Sequence, residues 1–128
     1  MTTAYEVRDA TLCAVDSTTD KLGLQLQIFF PMQRLRDLLD CAAGYSSYWA
    51  LWLQPLDKAV EEDVTVIELD NGVEIARHKL GPQGVVRGLL LLAERHPHHF
   101  VDFFAENEDA LTGDVFLQLC IFGEVPHG

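Results

Sequence analysis

His96-Pro97-His98-His99, with Glu94 just before it, is the segment of this chain best equipped for chemistry. Imidazole binds transition metals, and three rings within four residues suggest a metal site. A small metal-dependent enzyme built on this cluster is therefore one reading. The proline weighs against it, because it breaks a helix and the rings need not converge. His96 and His99 can share a side while His98 points elsewhere. The remaining histidines, His78 and His127, stand singly, and a zinc site needs a convergent ligand set. A polar helix end is expected here, with no metal and no other cofactor.

The thiols and hydroxyls lead the same way. Cys13, Cys41 and Cys120 are odd in number and widely spaced, which argues against a disulfide framework or a zinc knuckle. Cys41 follows Asp37 and Asp40 near a helix C-terminus, a setting that raises a thiol pKa. Cys120 sits among Leu117, Ile121 and Phe122 and reads as core. Ser46 and Ser47 occupy a turn without triad partners. No nucleophile elbow, phosphate loop or dinucleotide fingerprint is present. A non-enzymatic protein is expected.

Carboxylates dominate the rest. The 128 residues carry 20 acids and 9 bases, a net charge of -11. Such a chain repels phosphates, so direct nucleic-acid binding is not expected; a partner protein with a basic surface suits it. The candidate contact surface is Glu61, Glu62 and Asp63, then Glu68, Asp70 and Glu74, then Asp102, Glu106, Glu108 and Asp109. These lie in polar stretches, not in the apolar pockets that tune a general acid. Asp114 is expected to favour the dipole of the last helix, with Thr112 as its cap.

The elements that position these groups follow from periodicity. Leu22, Leu24, Leu26 and Ile28 alternate with glutamines, which predicts a half-buried strand over 22–29. Residues 1–20 carry weaker periodicity and read as a loosely ordered arm or a first strand. Pro31 opens a helix whose core face is Met32, Leu35, Leu38, Leu39 and Ala42, with Arg34, Arg36, Asp37 and Asp40 outward. YWALWLQP is apolar on both sides, as in a covered strand. Asp70-Asn71-Gly72 between two alternating runs predicts a tight hairpin. VVRGLLLLAER predicts a helix packing through Val85, Val86, Leu89, Leu90 and Ala93, ending near His96 before Pro97. A short helical turn, an acidic loop and the apolar helix TGDVFLQLCIFGE close the chain. The order β-α-β-β-β-α-α predicts a single α+β domain over 1–128, with a small antiparallel sheet and helices packed on one face. No apolar run is long enough to cross a bilayer, and the N-terminus lacks a signal-peptide pattern. A cytoplasmic protein without membrane contact is expected.

Two segments also carry a resemblance. GYSSYWALW with its preceding helix, and DALTGDVFLQLCIFGEV, are similar to a group of small phage- and prophage-encoded proteins. Those proteins share a Gly-x-x-Tyr-Trp motif and a C-terminal Asp-Ala-x-Thr-x-Asp-Val-x-x-Gln-x-x-x-Phe-Gly-Glu motif. The matching residues here are Gly44, Tyr48, Trp49, Asp109, Ala110, Thr112, Asp114, Val115, Gln118, Phe122, Gly123 and Glu124. Gly44 stands one residue further back than a plain match. The resemblance spans residues 22–128, is most specific at the C-terminal motif, and brings no catalytic residues. It implies a phage accessory protein in the host cytoplasm. With the acidity, it leads to an inhibitor that occupies a host nucleic-acid-handling protein, such as a CRISPR effector, by charge mimicry. The alternative is a structural homodimer through the last helix, with Trp49, Trp52, Phe116 and Gln118 at the interface.

Overall fold

The computed structural model describes residues 5–128, apart from the side chains at 9 and 10; the first four residues of the expected 1–20 arm lie outside that range. Instead of one domain over 1–128, the chain divides into two compact units, Met1–Pro31 and Met32–Gly128.

The first unit is an antiparallel hairpin of β1 (Glu6–Asp16) and β2 (Lys21–Phe29). Asp16 closes its turn by accepting the backbone N–H groups of Thr18 and Thr19, and Asp20 takes a left-handed conformation. The weak periodicity of the arm has a physical cause. Register shifts between Arg8 and Thr11 and between Leu12 and Ala14 each place one extra residue in β1. Each such bulge inverts the phase of alternation. Val7, Leu12 and Val15 therefore all come to one face, opposite Ile28, Leu24 and Leu22. The other face pairs Arg8 with Gln27, Thr11 with Gln25 and Asp16 with Lys21.

The second unit is α+β. Its antiparallel sheet has the order β3-β4-β5, from Ala50–Trp52, Val64–Asp70 and Val73–Leu80. The β4–β5 turn places Asn71 and Gly72 at φ 51° and 79°, the tight turn that Asn-Gly predicts. The covered strand expected over YWALWLQP is shorter, because Ser46–Tyr48 forms a 3-10 turn before β3 begins. Around the sheet lie α1 (Met32–Ala43), α2 (Pro82–Arg95), α3 (Pro97–Phe104) and α4 (Ala110–Phe122). Pro97 both ends α2 and starts α3, where a missing N–H costs nothing.

Helix α4 packs against α1, α2, α3 and β5, and every residue from Thr112 to Cys120 is buried. Two glycines allow this. A Cβ at Gly113 would stand 2.3 Å from the Ala42 backbone nitrogen, and one at Gly88 would stand 2.2 Å from Cys120 Sγ. The second contact corrects the expected face of α2. Val85, Gly88 and Leu92 face inward, while Val86 and Leu90 are exposed, because the smallest residue sets where the partner helix comes closest. Arg34, expected outward, is also buried. Its guanidinium donates to Glu108 Oε1 at 2.9 Å and to the Phe103 carbonyl, and lies over the Phe103 ring. No helix among the described residues is long and apolar enough to cross a membrane.

Candidate functional site

Two charged features stand out in the second unit, one sealed and one open. The sealed one centres on Asp114, which is 2% exposed. Its Oδ1 accepts from Ser46 Oγ at 2.6 Å and from Trp49 Nε1 at 2.7 Å. Its Oδ2 accepts from Tyr48 Oη at 2.8 Å and Gln118 Nε2 at 3.1 Å. The 3-10 turn and Trp49 just after it point three donors at one carboxylate on α4, and Gln118 adds a fourth from one helical turn onward. A carboxylate that accepts four hydrogen bonds has no lone pair left to take a substrate proton. Desolvation, with the bond to Asp114, pushes the Tyr48 phenol well above its ordinary pKa, so it remains a donor.

Gln118 extends the network. Its Oε1 accepts the His127 N–H at 2.8 Å and its Nε2 donates to the His127 carbonyl at 3.2 Å. The side-chain amide thus pairs with a backbone peptide as a neighbouring strand would. The His127 ring stacks on Trp49 at 5.0 Å between centroids. Its Nε2 lies 2.8 Å from Glu68 Oε2, and His78 Nε2 lies 2.9 Å from Glu68 Oε1. Burial pushes the Glu68 carboxyl up, but the two imidazole bonds outweigh it and hold the pKa below its usual range. The histidines that stand apart in sequence therefore meet on one carboxylate. Gln118, Trp49 and Phe116 are fully buried in their own chain. This corrects the homodimer interface expected on them; only half-buried Trp52 remains partly accessible. Ser46, Tyr48 and Trp49 come from the segment 44–52, and Asp114 and Gln118 from the segment 109–125.

The open feature lies on α1 and the 3-10 turn Leu56–Val60. Partial burial, then the nearby carboxylates of Asp57 and Asp37, raise the Asp40 pKa. Cys41 reports the same field: burial raises its thiol most, followed by Glu108, Asp37, Asp109 and Asp40. Acids from α1, the turn and the loop before α4 thus crowd one region. The helical spacing of Asp37 and Asp40 was visible in the sequence, but nothing there showed that Asp57 would join them.

The expected acidic surface is only partly open. Glu62, Asp63, Asp70 and Glu106 are exposed. Glu61 pairs with Arg36 at 3.3 Å and Glu74 with Arg77 at 3.0 Å. Glu68 and Glu108 are enclosed with their histidine and arginine partners, and Asp102 is half-buried. Asp109, not Thr112, caps α4: its Oδ1 accepts the Thr112 N–H at 2.9 Å, and that bond leads the effects lowering its pKa. Nor do these acids form one patch. Asp63 precedes β4 and Asp70 is its last residue, about 20 Å apart at strand rise.

The histidine rings lie together, and His98, expected to point away, has its ring centroid 4.2 Å from that of His99, with His96 at 6.3 Å. His98 is exposed, while buried His99 bonds Thr112 Oγ1 through Nδ1 at 2.9 Å. Because that hydroxyl donates to Asp109, Nδ1 carries the proton. Among the described residues no group of three or more His, Cys, Asp or Glu side chains is placed to hold a metal. No protein-family model, curated protein or solved structure matches this chain.

Proposed function

We propose that the protein is a non-enzymatic acidic binder that occupies the basic surface of a nucleic-acid-handling protein in the host of a phage or prophage. The observation that carries this is the packing of α1 against the Leu56–Val60 turn, which brings Asp57 to Asp37 and Asp40; partial burial first, and then the charges of Asp57 and Asp37, raise the Asp40 pKa. A surface that retains like charges against their repulsion favours an incoming cation-rich partner, which relieves it. The buried Asp114 network supports the reading by keeping the surface rigid, so little ordering entropy opposes docking. The binding face is thereby moved from the scattered acids of 68–74 to α1 and the adjoining turn, with Glu62 and Asp63 beside it in sequence.

The test is capture from bacterial lysate on immobilised protein, comparing the native chain with Asp37→Asn/Asp40→Asn/Asp57→Asn. The native chain should retain nucleic-acid-binding proteins that elute with moderate salt and with competing DNA, as screened charge pairs require. The variant should lose most of that set with its thermal unfolding intact. Equal capture by both proteins sinks the proposal.

A further inference from the structure

The β1–β2 hairpin presents an apolar face made of three cross-strand pairs, Val7–Ile28, Leu12–Leu24 and Val15–Leu22. Each is substantially exposed, from 37% at Ile28 to 69% at Val15. The two bulges matter most here. Without them, β1 would divide its apolar residues between both faces. With them, every pair on one side is aliphatic, and Glu6, Arg8, Asp16 and Lys21 fall on the other. Two separate register shifts that serve the same segregation point to a face built to be covered.

We infer that this face packs against the same face of a second copy of the chain, forming a two-layer β-sandwich of hairpins. Three observations favour a copy over another occupant. The six side chains offer roughly 600 Å² of apolar surface, close to the ~800 Å² per partner of a stable interface. An isolated two-stranded hairpin is marginal in water and needs a second layer; an identical hairpin supplies one of the same length at normal sheet spacing. Finally, residues 1–31 hold only four of the 20 acids and two of the 9 bases, so two facing arms carry little like charge to repel each other. The result is a dimer with two acidic bodies, which would also bind a partner with doubled valency.

Sedimentation equilibrium on the full chain at tens of micromolar tests this. The native protein should have twice the single-chain mass. Leu12→Glu/Leu24→Glu should have the single-chain mass, while Gln27→Glu on the polar face should stay dimeric. Near-UV circular dichroism from Trp49 should be unchanged in all three, showing the second unit folded. Backbone amide protection over 21–29 should rise with protein concentration in the native chain. A native monomer at these concentrations, or a dimer indifferent to Leu12→Glu/Leu24→Glu, overturns the inference. Because lysate capture reads α1 and sedimentation reads the arm, either result can fail without the other.

Discussion

Helix α4 and strand β2 are both apolar enough to demand cover, yet they meet opposite fates. Helix α4 keeps Thr112 through Cys120 buried, whereas β2 leaves Leu22, Leu24 and Leu26 exposed. The difference is not hydrophobicity. Helix α4 is reached closely by neighbours because Gly88 and Gly113 remove the side chains that would hold them off. Its three buried polar residues, Thr112, Asp114 and Gln118, all have partners, so burial leaves no donor or acceptor stranded. Among the described residues, strand β2 pairs with β1 in a two-stranded sheet. An apolar residue states a demand for cover; the supply depends on which other elements come within reach.

The sharpest way to break the contrast is Asp114→Ala. It strands the donors of Ser46, Tyr48, Trp49 and Gln118 in a closed core, and should cost about 3–5 kcal/mol in urea unfolding of the second unit. Asp114→Asn, which keeps an acceptor but turns an amide donor toward other donors, should fall between.

A matched glycine pair comes next. Gly113→Ala forces α1 and α4 apart at the backbone and should cost about 1–3 kcal/mol or more. In Gly23→Ala the new Cβ meets only ordinary contacts with Ala14, from 3.6 Å, so the change should stay within ~0.5 kcal/mol. Equal costs at both positions would show that the arm is packed as tightly as α4.

A smaller effect concerns pH. Burial, then the adjacent His98 and His96, lowers the His99 pKa from its ordinary value near 6.5. The folded state therefore binds fewer protons than the unfolded one between the lowered value and 6.5. Stability should be full above that window and fall as pH drops through it, with a slope no steeper than ~1.4 kcal/mol per pH unit. His99→Asn should flatten that segment of the curve, measured by thermal melts across pH. The smallest effect should be Leu22→Glu in the arm, which should leave the unfolding free energy of the second unit in urea within ~0.5 kcal/mol of the native value.

Much of this was legible beforehand where a signal is local. The Asn71-Gly72 hairpin, the strand from Leu22, the start of α1 after Pro31 and the α+β class all follow from turn chemistry and periodicity. Non-local features were not. Arg34 reads as a solvent-side residue until Glu108 and the Phe103 carbonyl are seen beside it. Asp114 reads as a dipole partner until the Ser46–Trp49 turn meets it, although both segments were already singled out by resemblance. His78 and His127 read as isolated because they stand 49 positions apart, and only the folded chain places both on Glu68.

By itself, the sequence determined composition-level and short-range properties: a strongly acidic chain, the positions of turns and helices, and which segments require cover. These depend on residues within a turn or two of one another. Only the tertiary structure decided that nine consecutive α4 residues are enclosed, that one carboxylate gathers four donors, and that Asp57 joins Asp37 and Asp40. Each of these is a coincidence in space between distant positions, and periodicity along a chain carries no term for such an approach.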